Sequence, residues 1–437
     1  MLLLAACSKE SDSGGGDPEP TPQKLPDPPA RGSTAERTVL IYMGGDSNLG
    51  RDGFASSDLQ EMAEAVKKMD ANVYSHNNLL IFYDQYSDTQ LPKLYRLVKK
   101  GEMKASATDP SVQEMEISVA EELIKEYPKE ITFTEPSILK EVIDEAFSIF
   151  PAKSYGLVYW SHGDGWMPGK YETLALRSID PLRWIGVDWN NSAANQSSSF
   201  KMGIPELAEV LKSTSKKLDF LMFDACFMMT VEVAYELRGC ADYIVASPTE
   251  TPGPGGPYTE IVPMMFVPTQ AAVRIAEAYY KYYDNKFNPN VTNTNANWTG
   301  GVSITVLDCA KLSNLAFKTK DSLPSTTVDT DELCDNVFDY DKRSSTGHVG
   351  YYDMVGLMES IMEPATFEEW QQAYLATVAY WKTTPKNYSM SAKLFSMEGA
   401  NGVSHYIPSS VDYGPASLSD YRDTAWYSDA GLSQLGW

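Results

Sequence analysis

Two short apolar runs constrain this chain more than any other feature, because each has the composition of a buried strand and each breaks off at a reactive side chain. In Lys217-Leu-Asp-Phe-Leu-Met-Phe-Asp-Ala-Cys-Phe-Met-Met, the residues Leu218, Phe220, Leu221, Met222 and Phe223 predict a strand ending at Asp224-Ala225-Cys226. Phe227, Met228, Val231, Ala234 and Tyr235 then recur at helical spacing, which places Cys226 at a strand-to-helix junction. In open α/β sheets, ligands gather at the carboxyl ends of strands. A thiol at a helix N-terminus is also expected to have its thiolate stabilised by the backbone dipole. Cysteine alone carries little weight, because free Cys is among the most buried residue types and usually serves as a small core side chain.

The second run, Tyr155-Gly-Leu-Val-Tyr-Trp160, leads straight into Ser161-His162-Gly163-Asp164-Gly165. Of the four histidines, His76, His162, His348 and His405, only His162 is placed like Cys226, at the end of an apolar strand and before a glycine-containing loop. A Cys and a His far apart in sequence but on one sheet edge can meet as nucleophile and base. Gly163 leaves room for a substrate carbonyl to approach its backbone N–H. With the Cys226 N–H as second donor, that is the chemistry of an oxyanion hole.

These residues carry a family resemblance. Tyr155-Gly-Leu-Val-Tyr-Trp-Ser-His-Gly-Asp-Gly-Trp and Leu218-Asp-Phe-Leu-Met-Phe-Asp-Ala-Cys-Phe-Met strongly resemble the clostripain family of cysteine peptidases. So do Val231-Glu-Val-Ala-Tyr-Glu-Leu and Ala241-Asp-Tyr-Ile-Val-Ala-Ser. Thr38-Val-Leu-Ile-Tyr-Met-Gly-Gly-Asp-Ser-Asn-Leu resembles that family's opening strand and loop, and Gly402-Val-Ser-His-Tyr-Ile-Pro a late strand, so the likeness spans residues 36–437. It implies a caspase-like three-layer α/β sandwich, with His162 as general base and Cys226 as nucleophile. It also implies that Asp224 helps to bind a basic side chain of a peptide or protein substrate. A helix-capping acid is the other reading of Asp224. Pro257 stands where the family's second pocket acid is expected, and Glu250 is the nearest acid able to substitute for it.

The rest of the chain agrees with a mostly parallel sheet covered by helices on both faces. Strands are predicted at 39–43, 79–83, 157–160, 218–223, 243–246 and 302–307, and helices from Pro136, over 271–283 and over 367–382. Pro252-Gly-Pro-Gly-Gly-Pro reads as a turn with no helix after it. The organisation expected is a signal remnant and flexible linker over 1–35, a peptidase core over 36–307 and a C-terminal lobe over 308–437.

A formal charge of −23, from 59 acids against 36 bases, repels phosphate backbones and argues against nucleic-acid binding. Leu4-Ala5-Ala6-Cys7 matches a bacterial lipobox, and a Gly-, Ser- and Pro-rich tether follows it. Cys7 is therefore the expected lipidation site, on a monomer held at the cell envelope by its lipid alone. If Cys226 stays a free thiol, Cys240, Cys309 and Cys334 allow at most one disulfide. No Cys or His spacing suits zinc and no acidic loop has the ligand spacing of a calcium site, so no metal or cofactor is predicted, although some relatives depend on calcium. Asp46 is expected to cap a loop, and Asp164 to diverge from His162. Lys170, Arg177, Arg183 and Lys201 lie between the His and Cys strands, where family members can cut themselves. The rival expectation is a lipid-anchored binding or scaffolding protein that keeps the peptidase fold with little activity.

Overall fold

A computed structural model describes residues 25–437 apart from 88, 109–112, 130, 167–183, 193, 195–199, 215, 292–297, 344–347, 349, 390–392 and 409–414. Its centre is a nine-stranded sheet built from β1 (Ala35–Gly45), β2 (Asn77–Gln85), β3 (Lys93–Ala105), β4 (Gln113–Glu126), β5 (Ala152–Trp160), β6 (Leu218–Asp224), β7 (Ala241–Ala246), β8 (Ser303–Asp308) and β9 (Val378–Thr383). Their order is β9-β8-β7-β6-β5-β1-β2-β3-β4. The five central strands run parallel, and antiparallel strands extend both edges.

The side-chain alternation of β1 shows why the sheet is covered on both faces. Val39, Ile41 and Met43 point into one apolar cluster and Leu40 and Tyr42 into another, all fully buried. The first cluster packs against α1 (Phe54–Lys68), α5 (Tyr258–Met265) and α6 (Ala271–Asp284). The second packs against α2 (Pro136–Ile149), α3 (Ile204–Ser213), α4 (Val231–Glu236), α7 (Cys309–Ser322) and α8 (Pro364–Thr377). This is the expected three-layer sandwich. All six expected strands form, and α2 buries Leu139, Val142, Ile143, Ala146 and Phe147 as its spacing predicts.

Several local expectations fail for physical reasons. The hairpin of β3 and β4 escaped a search for apolar runs, because β4 carries charged residues along much of its length and is largely exposed. The helix expected over 367–382 ends at Thr377, and the chain continues as β9, pairing with β8 in the main sheet. Through that strand, residues 308–437 share the sheet with the rest of the chain. A helix does follow the Pro-Gly turn: Pro257 is the N-cap of α5, where a missing N–H costs nothing. The late strand at Gly402–Pro408 shortens to Ser404–His405, paired with Tyr352–Asp353.

Candidate active site

β5 and β6 lie side by side in parallel, with Trp160 opposite Asp224. His162 and Cys226 are each two residues past that pair, so both emerge at the same sheet edge. They line one cavity of about 690 Å³, together with Asn48, Trp160, Asp224, Glu250 and Thr251 among others. The two loops are also in close contact. A Cβ on Gly163 would come within 3.0 Å of Ala225 Cβ and 3.1 Å of the Cys226 carbonyl oxygen.

The backbone before and after each residue is tied down. The Gly186 N–H donates to the His162 carbonyl at 2.8 Å, and Asp164 N–H to that of Trp184 at 3.4 Å. In this antiparallel pattern Gly163 and Ile185 face each other without exchanging hydrogen bonds, so the pairing leaves the Gly163 N–H uncommitted. Beyond Cys226, the Phe227 N–H donates to Thr249 O and the Met229 N–H to Ser247 O, each at 3.0 Å. Phe227 itself has φ of +57°, a left-handed conformation that turns the chain sharply after the thiol.

That turn corrects the expected helix. Helix α4 begins only at Val231, where the Thr230 hydroxyl accepts from the Val233 N–H at 3.1 Å. Cys226 lies outside it, and no helix dipole lowers the pKa of its thiol. Burial instead pushes the thiol up to about 11, partly offset by Thr251, whose N–H and hydroxyl each lie 3.3 Å from Sγ. Burial pulls His162 down to about 4, and its Nε2 lies 2.8 Å from Asn48 Oδ1. Asp164 diverges as expected: it pairs with Arg343 at 3.0 Å and accepts from the Tyr351 hydroxyl.

Asp224 caps no helix. Its Oδ2 accepts from the Gly256 N–H at 2.8 Å and the Tyr258 hydroxyl at 2.9 Å, which anchors the Pro-Gly loop, and burial raises its pKa to about 6. Beside it, Asp58 Oδ2 accepts from Trp160 Nε1 at 2.7 Å. A Cβ on Gly255 would lie about equally close to both carboxylates, 2.9 Å from Asp58 Oδ2 and 3.0 Å from Asp224 Oδ2. Asn48, Thr251 and Asp58 escaped the sequence reading. Asn48 falls within the quoted Gly-Gly-Asp-Ser-Asn-Leu segment, but nothing in its spacing marks a partner for His162.

Of the other expected positions, Cys7, Lys170, Arg177 and Arg183 lie outside the described residues. Among the described residues, none of Cys226, Cys240, Cys309 and Cys334 is in a disulfide. Among the described residues, no helix is long and apolar enough to cross a membrane. One group of carboxylates that no sequence spacing reveals, Asp46, Asp84 and Asp188, comes together from three separate elements.

Comparison with known proteins agrees with this fold. The chain is similar to a secreted C11 cysteine protease from Bacteroides thetaiotaomicron, solved with an irreversible peptide inhibitor, at 37% identity and a TM-score of 0.74 over 91% of this chain and 99% of that one. An inactive zymogen C11 protease from Parabacteroides distasonis matches at 27% identity and a TM-score of 0.69, again over 91% and 99%. Clostripain from Hathewaya histolytica is 27% identical over 239 residues, which is 51% of this chain and 41% of that relative's length. The family model described as the clostripain family, peptidase C11, matches residues 41–437. Matched over nearly its whole length, the chain belongs to the clostripain family of cysteine peptidases.

Proposed function

We propose that this chain is a cysteine endopeptidase that cleaves peptide bonds after basic residues, with Cys226 as nucleophile and His162 as general base. The observation that carries the reading is the composition of one cavity. Its described lining holds the thiol, the imidazole and two carboxylates, Asp224 and Glu250, and includes no Lys or Arg. A carboxylate in such a lining pairs with a guanidinium or ammonium group of the substrate.

In this mechanism the Cys226 sulfur attacks the scissile carbonyl carbon while its proton passes to His162, and the N–H groups of Gly163 and Cys226 hold the oxyanion. His162 then gives the proton to the leaving amine, and water hydrolyses the thioester. Because both groups are neutral at rest, proton transfer accompanies attack. Cys7 is the proposed lipid attachment site at the cell envelope, in keeping with the secreted relative from Bacteroides thetaiotaomicron.

The test is reaction with a peptidyl thiol-reactive inhibitor carrying Arg or Lys at its reactive end. Labelling confined to Cys226, and lost in His162→Ala, supports the peptidase. Labelling no faster than at Cys240 or Cys309 supports the rival binding protein. Cleavage retained by Cys226→Ala removes the nucleophile assignment.

A further inference from the structure

Two residues from the segment between α7 and α8, Arg343 and Tyr351, reach the loops that carry His162 and Cys226. Asp164, two residues past His162, takes contacts from both. Arg343 Nη1 lies 3.0 Å from Asp164 Oδ1 and 3.2 Å from its Oδ2. The Tyr351 hydroxyl donates to the Asp164 carbonyl at 2.6 Å and lies 3.1 Å from Oδ1. Phe227, immediately after Cys226, meets the same pair. Its ring stacks on Tyr351, with centroids 4.8 Å apart and planes 16° from parallel, and the Arg343 guanidinium lies 4.8 Å from the Phe227 centroid.

Both residues are themselves held. Buried Asp341 accepts from Arg343 Nε and Nη2 at 2.9 Å each, which leaves Nη1 for Asp164. Asp339 Oδ1 accepts from the N–H groups of Asp341 and Tyr351, at 2.9 and 3.2 Å, so both arms start from one anchor. The loops meet without slack: a Cβ on Gly165 would stand 3.0 Å from the Phe227 carbonyl oxygen and 3.1 Å from Tyr351 Cε1.

Phe227 is where such a hold is needed. Its φ of +57° is a conformation that a bulky side chain keeps only when its surroundings impose it. A turn free to relax there would carry the adjoining thiol away from His162. We propose that Arg343 and Tyr351 are positioning residues, a clamp from the C-terminal part of the chain that fixes the Cys226 turn against the His162 loop. The guanidinium has a second effect. After burial and Glu250, the Asp164 carboxylate opposes ionisation of the Cys226 thiol, and Arg343 offsets that charge. The effect of the clamp on cleavage rests on the proposed function, whereas its hold on the thiol does not.

Arg343→Met and Tyr351→Phe in the full chain test the clamp. The first keeps an apolar stem beside Phe227, and the second keeps the stacked ring and loses only the hydroxyl. For a peptide substrate, kcat should fall about 10- to 100-fold in Arg343→Met and about 3- to 10-fold in Tyr351→Phe, with KM changed by less than about threefold. Iodoacetamide should respond the other way. Burial is the largest influence holding the Cys226 thiol up at about 11, so a loosened turn lets it drift toward its ordinary 9.0. Alkylation of Cys226 at pH 8 should then run at least about fivefold faster in either variant. Cys240, before β7, and Cys309, at the start of α7, are buried outside the clamp and should react as in the wild type. Because Arg343 acts through Asp164, adding Asp164→Asn to Arg343→Met should lower kcat by no more than about a further twofold. Wild-type kcat, or wild-type alkylation of Cys226, in the folded variants would overturn the clamp. So would a rise shared by all three cysteines in Tyr351→Phe, which would mean general loosening of the fold. A wild type that cleaves no peptide would end the proposed function, and the alkylation of Cys226 would still decide the clamp.

Discussion

His162 Nε2 lies 2.8 Å from Asn48 Oδ1, so a residue three positions past β1 fixes the state of an imidazole at the end of β5. An amide oxygen only accepts, which puts the ring proton on Nε2 and leaves the Nδ1 lone pair to act as base. Asn48→Ala should lower kcat by about 10- to 100-fold with little change in KM, as loss of an orienting partner does. Asn48→Asp should stabilise the imidazolium and move the acid limb of kcat/KM up from about 4. A pH–rate profile checks both. An Asn48 that only supported the fold would change the melting temperature and leave the limb in place.

With the Cys226 thiol near 11 and His162 near 4, the resting pair at pH 7 is thiol and neutral imidazole. The thiolate fraction is on the order of 10⁻⁴. Iodoacetamide, which recruits no binding energy, should alkylate Cys226 at a rate that climbs through pH 9 and levels only near 11. Peptide mapping after timed alkylation measures this. A rate already flat between pH 6 and 8 would mean a preformed thiolate–imidazolium pair.

Asp224 loses its proton near pH 6, and its negative charge is what a basic substrate side chain would meet. For Arg and Lys peptides kcat/KM should therefore fall as pH drops through about 6. For peptides with an uncharged residue at that position the limb should follow His162, near 4. Asp224→Asn keeps an oxygen for the Gly256 N–H and the Tyr258 hydroxyl. It should cost basic substrates about 1.5–3 kcal/mol, roughly 10- to 150-fold, and spare the uncharged ones. One shared limb near 6 for both substrate classes would exclude Asp224 from substrate recognition.

What was legible in the sequence was whatever the chain encodes locally. The strands around Leu40, Leu157 and Leu221 are buried on both faces, so they stand out as unbroken apolar runs, and their ends located His162 and Cys226. The same rule misread Phe227 to Met229, although the helix it expected does form from Val231. Those residues are buried on every side, so apolar spacing there reflects enclosure, and the positive φ of Phe227 breaks the helix that the spacing suggests. Asn48 and Thr251 meet His162 and Cys226 only through chain closure across 25 to 114 residues, where no periodicity carries a signal.

Glu232 supplies a stability test well apart from the catalytic pair. It is fully buried in α4, where Oε1 accepts from the Tyr406 N–H at 3.0 Å and Oε2 has no partner among the described residues. His405 stands 3.8 Å away but is held neutral: its Nδ1 proton goes to the Tyr406 carbonyl, its Nε2 accepts from Trp426 Nε1 at 2.9 Å, and burial pulls its pKa down to about 4. No positive charge there rewards an ionised Glu232, and burial raises its pKa from 4.5 to about 7. The folded chain thus keeps a proton that the unfolded chain releases. Glu232 contributes most below about 4.5, and that contribution is lost as pH rises to about 7, a change of roughly 3 kcal/mol. His405 acts with the opposite sign, losing its contribution as pH falls from 6.5 to about 4, but it does so in wild type and variant alike. Glu232→Gln, unable to ionise, should match the wild type at pH 4.5 and exceed it in urea-unfolding free energy by up to about 3 kcal/mol at pH 8. A gap between the two proteins that stays constant from pH 4.5 to 8 would mean that Glu232 is ionised throughout, with a cation beside it that this arrangement of side chains does not provide.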